Sequence, residues 1–385
     1  MARQQLPPQI RKVEITDRRT GKPVPRYQVT VDAGEVDGKR KQRRKRFTTE
    51  REARGFLSET QAAVSAGTYV QTSKTTVDRA CADWLASKHK LKPSTLRGHK
   101  TKLQAVRDVL GEVEVQALTK RHVDDLVTAL SAGKVDGRAK WSPRSINYML
   151  GLLSNVLGDQ QKQGNLVRNV ASLVDRRASE PKKFRTLTDA EIFKILDHDC
   201  RERHLWALAL YGMRRGEIAG LRWENVDFKT GEVTVAENRV AVGREAIVGT
   251  PKSKASSRTL PMPQEVVTAL KAEKLQQKRD RLALGSECSE SSVHTKWDYV
   301  ASDEGGEPLT PTTISFRWGK MLREIGIDHV RLHDARHSCA TLMHLRGVPI
   351  AVIAAWLGHS SAAFTMATYA HSQDDALRAA GTSFR

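Results

Sequence analysis

Five short segments in the C-terminal half of the 385-residue chain hold the side chains able to do chemistry. In 211-YGMRRGEIAGLRW-223 a glycine turn ends an apolar helix, Arg214 follows, and Glu217 lies three residues on. The lysine-rich 250-TPKSKASSRTLPMP-263 reads as a hairpin tip leading into a strand and offers Lys252 and Lys254. In 333-HDARH-337, His333 and Arg336 are spaced i, i+3 and share one helix face. In 356-WLGHSS-361, Gly358 can end a helix, Ser360 or Ser361 can cap the next, and His359 sits between them. The fifth is Tyr369 in TMATYAHS. Singly, each has an ordinary explanation: an ion pair, a solvated turn, a helix surface, a helix stop, a packed ring. Together the types are more specific. Two guanidiniums offer paired N–H donors to an oxyanion, a lysine and imidazoles move protons, and a phenol is a nucleophile. The clustered Asp and Glu that Mg²⁺ would require are missing from these segments, so no metal and no other cofactor is expected.

Composition narrows the partner. Lys and Arg number 64 against 44 Asp and Glu, a formal charge of +20. Residues 1–182 carry +17 of it. The densest run, 39-KRKQRRKR-46, places Lys39, Arg40, Lys41, Arg43, Arg44, Lys45 and Arg46 within eight positions. Clustered cations release condensed counterions from DNA, although RNA or an anionic membrane would also suit them, and charge alone does not choose. No apolar run approaches the length of a membrane span, and MARQQLPPQIRK lacks the apolar stretch of a secretory signal. Cys81, Cys200, Cys288 and Cys339 are far apart, with no C-x-x-C, which argues against a disulfide framework and a Cys-based zinc site. The expectation is a multidomain intracellular protein with a polyanionic partner and no membrane.

Three bodies are predicted to position these groups, giving a fold mainly α with small β elements. Residues 1–70 read as a small β-sheet plus helix: RYQVTV (26–31) alternates, RKRFT (44–48) forms a second strand, and a helix follows from Thr49. Residues 74–180 read as four or five helices, with stripes at Val77, Ala80, Cys81, Trp84, Leu85 and at Ile146, Leu150, Leu153, Leu157. The charged stretch 175–187 reads as a linker. A capping box, Thr188 to Glu191, with Leu187 and Ile192 as a hydrophobic staple, opens a third, α+β body over 183–385. Its only clear β stretch lies between residues 232 and 261. His337 and His344 are read as packing or helix-surface residues, and Arg215 and Arg222 as DNA-backbone contacts or ion pairs.

The order Arg214, Lys252, His333-x-x-Arg336, Leu357-Gly358-His359, Tyr369 resembles the tyrosine recombinase (phage integrase) family. The ten-residue step from His359 to Tyr369, the Arg-x-x-Glu at Arg214, and the flanks LRWENVDF, RTLPMP and LHDARHS match as well. The resemblance is strong over 183–385, weaker over 74–180, which looks like the helical core-binding (SAM-like) domain, and residues 1–70 look like an arm-type DNA-binding module. It implies attack on a phosphodiester by Tyr369 Oη, a 3′-phosphotyrosyl intermediate with a free 5′-hydroxyl, and rejoining without ATP. Arg214 and Arg336 would stabilise the phosphorane, and His359 would hydrogen-bond it. Lys252, favoured over Lys254 by its spacing to Pro261, would protonate the leaving oxygen. His333 could assist proton transfer, and Glu217 would orient Arg214 or a histidine. The implied partners are double-stranded DNA with core and arm sites, a homotetramer on that DNA, a host DNA-bending protein and an excision factor, in the cytoplasm of a bacterial host with its nucleoid. Rival readings are a Xer-type resolvase of chromosome dimers, a type IB topoisomerase, and a non-catalytic architectural DNA binder.

Overall fold

The computed structural model describes residues 5–16, 21–36, 39–65, 70, 73–179, 185–243, 245–249, 257–284, 297–359, 363 and 366, with backbone alone over 32–43. The chain divides into two compact units, 1–180 and 181–385. Among the described residues no helix is long and apolar enough to cross a membrane.

The first unit begins with β1 (Ile10–Thr16), β2 (Pro23–Val36) and β3 (Lys39–Phe47) in an antiparallel sheet of that order, followed by α1 (Glu50–Ser65). Thr49 and Glu52 start α1 as a reciprocal cap: the Glu52 carboxylate accepts from Thr49 N and the Thr49 hydroxyl from Glu52 N. Ile10, Val29 and Val31 bury against Ala53 and Leu57. β1 was not expected from sequence. It is an edge strand with one buried residue, so IRKVEIT shows no clean alternation.

Four longer helices follow: α2 (Val77–Ala86), α3 (Pro93–Leu110), α4 (Lys120–Ala132) and α5 (Pro143–Lys162). Thr76, Thr119 and Ser142 cap three of them, and Pro93 and Pro143 open two. Both expected stripes are buried, Val77 to Leu85 on α2 and Ile146 to Leu157 on α5.

In the second unit the Thr188–Glu191 capping box forms as read, opening α6 (Asp189–Asp197). Leu187 is buried and Ile192 packs against the same core. Next come α7 (Arg203–Leu210), α8 (Arg215–Gly220), β4 (Val226–Asp227), β5 (Glu232–Val235), β6 (Asn238–Val242), β7 (Glu245–Gly249) and β8 (Arg258–Pro261). The unit continues with α9 (Gln264–Ala283), α10 (Pro311–Glu324), α11 (Leu332–Leu345) and α12 (Ile350–Leu357). β4, β5 and β8 form one antiparallel sheet and β6–β7 a hairpin. Every residue of α7 from His204 to Leu210 is buried, as expected of a helix surrounded by core.

A polar layer crosses this core. Trp223 Nε1 donates to Gln277 Oε1 (2.8 Å), and Gln277 Nε2 donates to Glu273 Oε1 (3.0 Å) and to the Val300 carbonyl (3.1 Å). His204 Nδ1 lies 3.6 Å from the Glu273 carboxylate. Burial pushes Glu273 up to about 7 and His204 down to about 4, so neither is fully charged near neutrality. For Glu273 the folded value lies above the unfolded one, so the ionised carboxylate costs stability increasingly as pH rises from about 4.5 to about 7. Glu273→Gln keeps an acceptor for Gln277 and removes that cost. It should stabilise the protein on the order of 2 kcal/mol more at pH 8.5 than at pH 5, in denaturant titrations at the two pH values. Equal gain at both would refute the ionisation account.

Candidate active site

The site is assembled around the carboxyl end of α12. Gly358 turns that helix off in the left-handed region (φ +61), as the sequence predicts, and leaves its last carbonyls without helical partners. Three successive carbonyls are taken by three different arginines. Arg258 Nε donates to Trp356 O (2.6 Å), Arg336 Nη2 to Leu357 O, and Arg214 Nη2 to Gly358 O (2.8 Å). Helix carbonyl ends carry partial negative charge, so this terminus attracts cations.

Each arginine arrives on its own element. Arg214 precedes α8 in extended backbone, where its N–H is capped by Glu217 Oε2 (2.9 Å). Its Nη1 donates to Glu217 Oε1 (2.6 Å). Arg336, on α11, is only 2% exposed and also donates from Nη1 to Gly212 O (2.5 Å). Gly212 has φ +95, and a Cβ there would stand 3.1 Å from Leu357 Cδ2 and 3.4 Å from Trp356 Nε1. Trp356 Nε1 in turn donates to Tyr211 O (2.8 Å), which ties the turn after α7 to α12. Asp334, beside Arg336, is buried and holds Arg331 by two bonds of 2.7 Å.

Arg258 was not singled out from sequence. Its two Nη atoms donate to both oxygens of Glu217 (3.2 and 3.0 Å). What marks it is tertiary. In β8, Arg258 and buried Leu260 are two residues apart and share a face, opposite buried Val235 and Val233 of β5. An arginine at an inward strand position needs buried acceptors, here the Glu217 carboxylate and the Trp356 carbonyl.

Glu217 is 4% exposed. Burial alone would raise its carboxyl, but bonds and charge from Arg258, then Arg214, outweigh that and hold it below its usual value. His333 and His359 are also shifted down, which for an imidazole favours the neutral form. Burial and the neighbouring Arg336 and Arg214 push both down to about 4, with His337 adding to the effect. His333 reaches the surface, and its ring stands edge-on to His337 with centroids 5.0 Å apart.

Arg214, Glu217, Arg336 and His359 are therefore brought together, with His333 beside them. Lys252, Lys254, Ser360, Ser361 and Tyr369 lie outside the described residues. Arg222 is an ion pair with Glu237 (3.2 Å) and lies over the Tyr299 ring, and Arg215 donates to Ser315 Oγ (3.0 Å). Among the described residues no group of three His, Cys, Asp or Glu could hold a metal ion.

In the first unit the run 39–46 is strand β3, and its register splits the cations between faces. Lys45 and Phe47 pair with Val29 and Tyr27, on the face covered by α1. Arg44 and Arg46 pair with Thr30 and Gln28 on the other face, which Arg11 of β1 shares. Lys45 Nζ lies 5.2 Å from the Phe47 and Phe56 ring centres.

Residues 185–376 match the phage integrase family profile, and residues 16–64 match the profile of an arm DNA-binding domain. The chain belongs to the phage integrase family. Among curated relatives, a tyrosine recombinase XerC-like protein of Caldanaerobacter subterraneus subsp. tengcongensis is 28% identical over 253 residues. That match spans 61% of this chain and 63% of the relative. An integrase of Streptomyces ambofaciens is 26% identical over 358 residues, 89% of each chain. The Tn1549 transposon integrase, solved in complex with transposon right end DNA, superposes with TM-score 0.64 at 18% identity, covering 80% of this chain and 99% of that one. A lambda integrase dimer bound to a COC′ core site gives 0.57 at 16% identity, with 96% of each covered. At these identities the two structures establish the integrase fold.

The site's electrostatics carry their own prediction. With folded values below the ordinary 6.5, His333 and His359 of this integrase stay neutral as pH falls from 7 to 5, and they oppose stability as the unfolded chain takes up protons over that range. Histidine ¹⁵N NMR on the free protein should show both rings neutral at pH 5.5. Titration at or above 6.5 would mean the arginines do not face them.

Proposed function

We propose that the protein is a site-specific DNA recombinase that integrates or excises a phage or other mobile element through a 3′-phosphotyrosyl intermediate. The observation that carries this reading is the convergence of Arg214, Arg336 and His359 on one helix terminus, with His333 beside them. Two guanidiniums anchored by carbonyls and a carboxylate present fixed N–H donors, which suits the charge that develops on a phosphorane's non-bridging oxygens. Tyr369 Oη forms the new bond to phosphorus, the P–O5′ bond breaks, and Lys252 supplies the proton to the departing 5′ oxygen. His333 assists removal of the phenolic proton. The ester keeps the energy of the broken bond, so a 5′-hydroxyl can reverse the step without ATP. In this reading the arginines do the work that divalent ions do elsewhere.

The domains follow. Residues 183–385 cut and rejoin, 74–180 hold core-site DNA, and 1–70 hold outlying arm sites. A homotetramer on paired duplexes, a host DNA-bending protein and an excision factor complete the assembly, in the bacterial cytoplasm. The arm-type match over 16–64 favours an integrase over a Xer-type resolvase.

A nicked suicide duplex carrying the core site tests the chemistry. Wild type should accumulate a covalent adduct and Tyr369→Phe none. Arg214→Ala should slow adduct formation about 10²- to 10³-fold while core-site binding survives. Normal cleavage by either variant would remove the assignment.

The strand register gives a second test. Replacing Arg44 and Arg46 together by Ala should weaken binding to arm sites and lower the log–log salt slope by about 2, while Lys45→Ala changes the slope by less than about 0.5. Equal slopes for the two variants, or equal loss in the core-site nick assay, would place the run elsewhere in the complex.

A further inference from the structure

Glu217 holds two guanidiniums, and they face different surroundings. Arg214 has 31% of its side chain exposed; its guanidinium takes one carboxylate oxygen and its backbone N–H the other. Arg258 is 8% exposed, binds both oxygens from behind and adds the bond to Trp356 O. A carboxylate held by one flexible arginine can rotate with it. Gripped on both oxygens by a second, buried guanidinium, it becomes a fixed anchor whose charge is already matched. Arg214 is then tethered in direction while the cluster keeps a net positive charge toward solvent. The Trp356 carbonyl that Arg258 takes adjoins the carbonyls that hold Arg336 and Arg214, so one side chain braces both ends of the arrangement.

Building on the recombinase reading, we infer that Arg258 is a positioning residue for strand cleavage. It does not touch the scissile phosphate. Through Glu217 and the Trp356 carbonyl it fixes the direction in which Arg214 meets a non-bridging phosphate oxygen. A second route is chemically conceivable, because Arg258 opens β8 six residues after Lys252 in sequence. A change there could act on the leaving-group proton instead, and the substrate chemistry separates the two.

The experiment uses the full chain and a nicked core-site duplex with three scissile linkages: the natural phosphodiester, a methylphosphonate and a 5′-bridging phosphorothiolate. The methylphosphonate lacks the negative charge that Arg214 would stabilise. The phosphorothiolate leaves as a thiolate and needs no proton. Arg258→Met should slow adduct formation roughly 10- to 100-fold on the phosphodiester with core-site affinity unchanged. The defect should shrink to a few-fold on the methylphosphonate and persist on the phosphorothiolate, and Arg258→Lys should recover part of the rate. If Arg258→Met does not fold because Glu217 is left buried and half-paired, the Glu217→Gln/Arg258→Met double variant removes that charge and should show the same substrate pattern. A defect equal on the phosphodiester and the methylphosphonate, one abolished by the phosphorothiolate, or wild-type rates per folded molecule would overturn the inference. Failure of the wild-type protein to form adduct on any of the three linkages would overturn the recombinase reading itself.

Discussion

The carboxyl terminus of α12 is the constraint from which the site follows. A helix leaves its last carbonyls unpaired, and inside a protein they must find donors. Here three consecutive carbonyls find theirs in Arg258, Arg336 and Arg214, which come from a strand, a helix and a helix-entry turn far apart in sequence. Glu217 is the carboxylate bonded to two of these guanidiniums, so charge in the cluster is matched only in part. That excess is tolerable because backbone dipoles replace the water the guanidiniums give up. It is also useful, because a tetrahedral or pentacoordinate phosphorus brings the missing negative charge.

Such a cradle binds fold and function together. Removing one partner of a buried charged pair costs about 3–5 kcal/mol, a large share of the 5–15 kcal/mol that holds a domain together. The two glycines at its edge have separate reasons. Gly358 supplies the left-handed turn that exposes the carbonyls, and Gly212 brings its own carbonyl to Arg336 in a space that Leu357 and Trp356 would otherwise deny to a side chain. Burial, with the same crowding of cations adding to it, depresses His333 and His359, so in the free protein they are neutral groups, able to accept a proton or a hydrogen bond. Preorganisation of this kind does not have to be created at the moment of reaction, which is where it gains over mobile solvent.

Much of this was legible in the residues. The order of the boxes, the capping box before α6, the glycine stop after α12 and the two apolar stripes of the helical bundle all follow from local rules of capping and periodicity. Arg258 escaped because its meaning is tertiary: it looks like the end of a basic turn until the pairing of β8 with β5 turns it inward. β1 escaped because an edge strand with one buried side chain has little pattern to read. The run 39–46 looked like one uniform patch of charge. A strand has two sides, and only the register to β2 shows that Lys45 lies on the helix-covered face and Arg44 and Arg46 on the other.

The most direct test of the account is a structure of the covalent complex on a nicked core-site duplex. The account expects the phosphorus, esterified to Tyr369, to sit with its non-bridging oxygens about 3 Å from guanidinium nitrogens of Arg214 and Arg336. The bonds from Arg258, Arg336 and Arg214 to the carbonyls of 356, 357 and 358 should be retained. A phosphotyrosyl group lying beyond about 10 Å from both guanidiniums, or a cradle whose arginines have left α12 to reach the DNA, would contradict it.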